Sequence, residues 1–526
     1  MLTATTVTGG AAVVQALAAH GVDLVFGIPG THTLPIHRHL TASGIRHVTP
    51  RHEQGGGYAA DGYARVSGRA GVVVATSGPG VINTATAAAT AYADSVPMLV
   101  VSPSMPTAVE GRDTGHLHEG KDQRGAMDAV CEWSRRAGSP ADAAAAIADA
   151  FAGFAHGRAR PVHVEVPTDV LEAEGVVDLA PPAVPAAATP DDEALDRAAS
   201  LLARAERPAL VLGGGARGAA AAATRLAERL GAPVVTTVNG KGVVDERHPL
   251  SLGAQIRLPA TQRWLRGRDV VLAVGTELGE SDLWGPPLQL EGRLIRVDLD
   301  PGQLHKNAAA DVALAGDARA VMSALVDALP RRAAAHEDLG RAREAIRAEA
   351  LADGEPFLPL AAALDEALGD DGILAGDSTM ASYYGAVHFV PMDAHRRWIY
   401  PTGYATLGYA LPAAIGAKLA APERPVIALA GDGGLLFTVA ELATAAELGI
   451  PLPVVVPNND GYGEIRAQMI AEEIEPIGVD LRVPDLAALG RAFGGEGVRI
   501  DDPTRLAPAL REALERPGPT VIEIPA

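Results

Sequence analysis

Short runs of valine, leucine and isoleucine recur along this chain. Between them lie longer stretches whose apolar residues fall three and four positions apart. DLVFGIP, VVVATSGPG, PMLVVSP and PVHVEVP come first; PALVLGGG, PVVTTVN, DVVLAVG and RLIRVDLD follow; DGILAGDS, PVIALAGDGG, PLPVVVPNND and PTVIEIP come last. A run that is apolar throughout, not at alternate positions, fits a strand buried on both faces, as in a parallel sheet covered by crossover helices. The pattern predicts an α/β protein of three doubly wound domains with parallel sheets. Alanine-dense segments such as ADAAAAIADAFAGFA and RGAAAAATRLAERLG read as amphipathic helices rather than low-complexity interaction segments.

Two stretches interrupt the alternation. Residues 175–193 are rich in proline, alanine and acid; residues 330–357 are highly charged, of helical pattern and poor in apolar positions. They divide the chain into expected domains at 1–174, 194–330 and 357–526. A length of 526 residues fits about three cores of ~150 residues each.

Composition removes several classes of function. With 64 acidic against 44 basic residues and a net charge of −20, nothing resembles a basic nucleic-acid footprint. The single cysteine, Cys131, allows no internal disulfide and fits a reducing cytosol. The opening MLTATTVTGGAAVVQALAAHGVDLVFGIPG has no cationic segment before its apolar stretch and reads as the first helix and strand, not a signal peptide. No window of about 20 residues lacks both charge and turn residues, so no membrane span is expected. These features together predict a cytoplasmic protein without nucleic-acid or membrane partners.

The candidate chemistry begins at PVIALAGDGG, a strand ending in a glycine-rich turn. FTVAELATAAELG has helical spacing closed by Gly449, and PLPVVVP is a second strand whose exit loop is NNDGYG. In a parallel sheet the ends of both strands face one edge, which brings Asp432 and Asn459 together where such sheets bind ligands. Asp432, the amide oxygen of Asn459 and the carbonyl of Gly461 are hard oxygen donors suited to Mg²⁺. Gly431, Gly433 and Gly434 let backbone N–H groups approach a phosphate. GDG alone would read as a turn with a helix cap. GDG and NN at the two ends of one strand–helix–strand unit favour a metal and diphosphate site.

The stretch from GDG to NN resembles the thiamine diphosphate motif, and the resemblance spans the chain. RHEQGGGYAADGYARVSGRAGVVVATSGPGVINTATAAATAYADSVPMLVVS is similar to the pyrimidine-binding domain of the acetolactate synthase and 2-oxo acid decarboxylase superfamily. GKGVVDERHPLSLG is similar to its middle domain, and YATLGYALPAAIGAK to its diphosphate domain. The resemblance implies that Glu53 in RHEQG is the activating glutamate. A carboxylate bonded to N1′ of the aminopyrimidine favours the imino tautomer, whose 4′ nitrogen deprotonates C2 to the ylid. It further implies that Leu407 props the bent cofactor, that the Ala405 carbonyl accepts from its 4′-amino group, and that Asp377 and Ser378 help hold the diphosphate. Family architecture also implies that Glu53 of one subunit meets Asp432 of another, in a homodimer or homotetramer.

The shared half-reaction is decarboxylation of a small 2-oxo acid through a ylid and an enamine. GRDTGHLHEGKDQRGAMD resembles the segment carrying catalytic histidines in pyruvate-type decarboxylases. Where those have His-His, this chain has His118-Glu119, with His116 just before. His118 reads equally as an acid/base group or a solvated loop residue. Gln123 falls near the substrate-side glutamine of acetolactate synthases. Simple decarboxylases carry a catalytic glutamate one residue past Glu464, where this chain has Ile465. NNDGYGEI and GTELGESDLWG instead resemble 5-guanidino-2-oxopentanoate decarboxylases, and Glu464 would suit a guanidinium; its plain alternative is pairing with Arg466 or water. LGGGARG lacks a full G-x-G-x-x-G, which predicts a middle domain without FAD. The sequence thus predicts a thiamine diphosphate- and Mg²⁺-dependent decarboxylase, with an acetolactate synthase-like carboligase as the alternative.

Overall fold

The computed structural model describes residues 5–179, 190–331 and 338–526; residues 180–189 of the first interrupting stretch and 332–337 of the second lie outside it. Three parallel sheets form the three α/β domains that the runs predict. The first places Arg46–Val48, Leu24–Phe26, Gly71–Val74, Met98–Ser104, Val162–Pro167 and Trp133–Arg136 side by side. The middle sheet runs Val234–Thr236, Pro208–Leu212, Val270–Val274, Arg293–Asp298 and Val312–Ala315. The third runs Arg397–Ile399, Ile373–Gly376, Val426–Leu429, Leu452–Asn458, Pro519–Pro525 and Glu496–Arg499.

The strands absent from the apolar runs are edge strands: Arg46–Val48, Trp133–Arg136, Val312–Ala315, Arg397–Ile399 and Glu496–Arg499. They are short, and all but Val312–Ala315 carry arginine, because an edge is covered on fewer sides than a centre. A separate antiparallel pair, Thr5–Thr8 with Glu174–Val177, ties the start of the first domain to its end. In the charged stretch, the helix Leu339–Gly354 turns Leu339, Ala342, Ile346 and Ala350 onto the core of the middle domain. No helix among the described residues is long and apolar enough to cross a membrane.

The first and third domains meet through two helices, Glu53–Ser67 and Ala410–Ala420. They cross backbone to backbone. A Cβ on Gly62 would stand 2.1 Å from the Ala413 carbonyl oxygen, and one on Gly416 1.8 Å from that of Ala59. A buried polar network locks the crossing. Asp61, fully buried, accepts from Arg65 Nε at 2.6 Å and from the Tyr409 hydroxyl, and Arg65 also reaches Asp94 at 2.8 Å. A buried charge is tolerable only when paired in this way.

Candidate active site

The segment that opens with GDG folds as a strand, two short helices and a strand. Asp432 begins the first helix, Asp432–Thr438; the chain breaks at Val439 and Ala440 and resumes as Glu441–Leu448, closed by Gly449 in the left-handed conformation. The single helix expected from the spacing is therefore two. Long-range bonds flank the break: Thr438 donates to the Gly408 carbonyl at 2.7 Å, and Glu441 turns toward the first domain.

Asp432, Asn459 and Gly461 converge. Asp432 is buried, and its Oδ2 accepts the Gly461 N–H at 2.8 Å. One terminal atom of the Asn459 amide lies 2.8 Å from the Gly461 carbonyl oxygen and 3.2 Å from Asp432 Oδ1. As a nitrogen it donates to both; as an oxygen it completes a triangle of acceptors that a hard cation satisfies. The donor set thus fits Mg²⁺. Gly461, at φ +148°, has no room for a side chain, since a Cβ would sit 2.0 Å from the Val479 carbonyl oxygen. The preceding Asn458 is committed elsewhere, donating to the buried Glu523 at 2.9 Å.

The neighbouring loops of the same edge hold the other expected residues. Asp377 and Ser378 follow Ile373–Gly376. The Asp377 carboxylate accepts the N–H groups of Ser378 and Gly408, each at 2.9 Å, and burial pushes its pKa up to about 6. It therefore faces the loop that carries Ala405 and Leu407. A Cβ would come within 2.8 Å of the Tyr462 ring at Gly433 and within 2.9 Å of Asp377 Oδ2 at Gly434, so something would have to shift, while at Gly431, more loosely packed, it would stand 3.0 Å from the Thr379 hydroxyl. Ala405 is exposed and holds φ +47°, a strained value for a residue with a side chain. Leu407 is half-buried on the same loop. Glu464, half-buried, opens the helix Gly463–Ala471 beyond the loop of Asn459 and Gly461.

The first domain builds a matching edge. Glu53 starts its helix and is buried; Asn83 Nδ2 donates to its Oε2 at 3.0 Å. His118, at φ +66°, stands near Ser77, whose hydroxyl lies 3.4 Å from His118 Nδ1 and 2.6 Å from His32 Nδ1. Burial lowers the His32 pKa, with His118 and His116 adding to it. Gln123 is engaged at both ends of its amide: its oxygen accepts the Gly78 N–H at 2.7 Å, and its nitrogen donates to Glu165 at 2.7 Å and the Pro103 carbonyl at 2.9 Å. It braces the Gly78 loop from within the domain. The structure gathers Glu53 and His118 on one edge and Asp377 through Glu464 on the other.

Sequence reasoning missed His32, Asn83 and Glu441. Glu441 is buried and accepts N–H bonds from Arg51 and His52, both at 3.0 Å, together with the Thr444 hydroxyl at 2.6 Å. It thereby anchors the backbone immediately before Glu53 from the third domain. Its partners are 390 and 389 residues away, so no local pattern announces it. A further cavity of about 410 Å³ lies at the carboxyl edge of the middle sheet, lined by Gly214, Gly215, Gly275, Glu277, Asp282 and Asp298 among others. There burial, with Asp94 and Glu277 nearby, pushes the Asp282 pKa up to about 7.

Comparison with known proteins agrees with this layout. The thiamine pyrophosphate enzyme N-terminal TPP binding domain matches residues 7–126, its central domain residues 195–325, and its C-terminal TPP binding domain residues 376–524. The chain is 46% identical to the "Probable 2-ketoarginine decarboxylase AruI" of Pseudomonas aeruginosa, over 99% of this chain and 94% of that protein. It is 35% identical to the acetolactate synthase large subunit of Parasynechococcus marenigrum, over 99% of this chain and 87% of that one. With the Corynebacterium glutamicum acetolactate synthase large subunit it shares 33%, over 98% and 86%. Three sheets each matched to their own domain, and full-length likeness to these relatives, place the chain in the thiamine pyrophosphate enzyme family: it is a thiamine pyrophosphate enzyme.

Proposed function

We propose that the protein is a homo-oligomeric, Mg²⁺-dependent decarboxylase of 2-oxo acids, acting on 5-guanidino-2-oxopentanoate. The observation that carries the reading is the convergence of Asp432, Asn459 and the Gly461 carbonyl in a chain that also buries Glu53. The relative named for 2-ketoarginine supports the choice of substrate.

In this reading Asp432, Asn459 and Gly461 hold the metal, with Ser378 beside the diphosphate. Bound thiamine diphosphate supplies a nucleophilic carbon and an electron sink. Glu53 holds the activating proton. Asn83 occupies its Oε2 and leaves Oε1, on the Gly80 side, for the pyrimidine ring. Asp377 steadies the loop, so that the Ala405 carbonyl can accept from the pyrimidine amine and Leu407 can prop its ring. His118, linked through Ser77 to His32, moves protons at the reacting carbon. Gln123 fixes the Gly78 loop between them, and Glu464 faces the substrate side chain. Glu53 and Asp432 come from different subunits, so each site is completed by a second copy of the chain.

The testing experiment is CO₂ release with thiamine diphosphate and Mg²⁺ from guanidino, branched, aromatic and pyruvate-type 2-oxo acids. The guanidino acid is expected to be the best substrate. Pyruvate as the best substrate, with acetolactate as product, would establish the carboligase reading instead. The middle-domain cavity favours that second reading insofar as its glycine-lined edge could admit a nucleotide. Flavin absorbance in the purified protein would strengthen it, and a colourless active enzyme would weaken it.

A further inference from the structure

Two sequence segments far apart in the chain, GTELGESDLWG of the middle domain and NNDGYGEI of the third, are joined in the fold by a pair of tyrosines. Trp284 packs edge-on against Tyr383 at 5.5 Å between ring centroids and against Tyr384 at 6.2 Å. Tyr384 in turn donates its hydroxyl to Glu464 Oε1 at 3.3 Å, and Gln468 donates to the same oxygen at 2.9 Å. The tyrosines lie in the π-helical stretch Ala381–Ala386, a rare helix form that is frequent at functional sites. Met380, just before it, has its sulfur 4.0 Å from the Asn459 amide. The cluster therefore begins beside the metal loop and extends to the middle domain.

Three features of this cluster go beyond packing. Trp284 sits at φ +51°, ψ +37°, a left-handed conformation that is strained for a bulky residue. It is nonetheless 48% exposed, so strain is spent on presenting an indole rather than burying it. The aromatic faces also already accept a guanidinium. Arg257 lies 4.3 Å from the Trp284 ring centroid and 5.1 Å from that of Tyr384. It is fastened there by the Tyr383 carbonyl at 3.0 Å and by His388 at 3.1 Å. Finally, Glu464 supplies a half-buried carboxylate to the cluster, with Tyr384 and Gln468 both meeting its Oε1; a planar cation pairs well with a carboxylate and stacks well on an aromatic face.

We propose that Trp284, Tyr384 and Glu464 form the pocket that selects the substrate's side chain, and that the pocket is built for a planar cation. The proposal rests on the reading of the chain as a 2-oxo acid decarboxylase. It adds the residues that separate a guanidino acid from a neutral acid of the same shape.

The test compares kcat/KM for 5-guanidino-2-oxopentanoate with that for its neutral isostere 5-ureido-2-oxopentanoate. It is run in the wild-type holoenzyme and in Glu464→Gln, Trp284→Leu and Tyr384→Phe, with thermal melts of each. The wild type is expected to prefer the guanidino acid. Glu464→Gln and Trp284→Leu should each shrink that preference about 10- to 100-fold, the size of a lost charge-assisted contact, and Tyr384→Phe should shrink it less. An unchanged preference in both of the first two variants, with lower melting temperatures, would overturn the proposal and make the cluster a packing shell around Arg257. A wild-type enzyme that releases CO₂ from other 2-oxo acids but not from the guanidino acid would overturn the substrate reading itself.

Discussion

The first and third sheets order their strands identically: counted along the chain within each sheet, the spatial order is second, first, third, fourth, sixth, fifth. The correspondence reaches single residues. Glu165 on Val162–Pro167 pairs in register with Arg136, and Glu523 on Pro519–Pro525 pairs in register with Arg499. Both glutamates are buried, and both face those arginines, at 3.8 Å and 3.1 Å. The loops at the carboxyl edges also correspond. His32 and Asp377 follow the first strands, Glu53 and Leu407 the second, Ser77 and Asp432 the third, His118 and Asn459 the fourth. One scaffold thus carries two chemistries. The third domain gathers oxygens that suit a cation, while the first gathers a carboxyl group and imidazoles that suit proton transfer. What differs is confined to the loops, as expected when a rigid sheet positions residues that its own packing does not need.

The division of labour can be broken at one residue on each side. Asp432→Ala should lose Mg²⁺ and thiamine diphosphate together, seen as the disappearance of the calorimetric binding signal. Glu53→Gln should keep that signal while turnover falls by about 10²- to 10⁴-fold, the usual worth of a positioned proton-transfer group. The opposite pattern, with binding lost in Glu53→Gln and kept in Asp432→Ala, would mean that the two edges have been assigned the wrong way round.

A smaller effect probes how the twin domains meet. The helices Glu53–Ser67 and Ala410–Ala420 occupy equivalent places and cross through glycine, so Gly416→Val should push the Ala59 backbone away. The cost should be about 1–3 kcal/mol, read from chemical denaturation, in line with overpacking elsewhere. Gly153, inside the helix Pro140–His156, has nothing near its absent Cβ. Gly153→Ala should therefore leave stability unchanged or raise it by up to about 1 kcal/mol. Equal melting curves for the two variants would show that the crossing does not depend on close approach.

The central strands and the Asp432–Asn459 pairing were legible because both are local patterns: an apolar run, and a motif spanning one strand–helix–strand unit. The edge strands were not, since RHV, WSRR and EGVR have no apolar run to read. The NN pair illustrates the limit. Sequence marks Asn459 as a candidate ligand, a proposal still to be tested, but cannot show that Asn458 belongs to Glu523, 65 residues further on. Glu441 was invisible for the same reason, its partners lying in another domain. Gln123 read as a residue facing substrate, whereas its amide is engaged within its own domain. Its occupation by Gly78 and Glu165 is a tertiary fact with no trace in KDQRG.

The least effect near neutrality comes from a position where the twins diverge inside the sheet. Two residues before Glu165 stands His163; two residues before Glu523 stands Val521. His163 is fully buried between hydroxyls, with Nε2 2.8 Å from Ser102 and Nδ1 2.7 Å from Ser134, and burial lowers its pKa from 6.5 to about 3. Between those values the unfolded chain takes up a proton that the folded chain refuses. The stabilisation is therefore complete above pH 6.5 and is lost as pH falls toward 3, at about 1.4 kcal/mol per pH unit. His163→Asn keeps a hydrogen-bonding side chain but removes the titration. Its unfolding free energy should fall less steeply than the wild type's between roughly pH 6.5 and pH 5. If the two slopes coincide, His163 is protonated alike in both states, and the first sheet tolerates, buried on its penultimate strand, a charge that the third, with valine at that place, never has to hold.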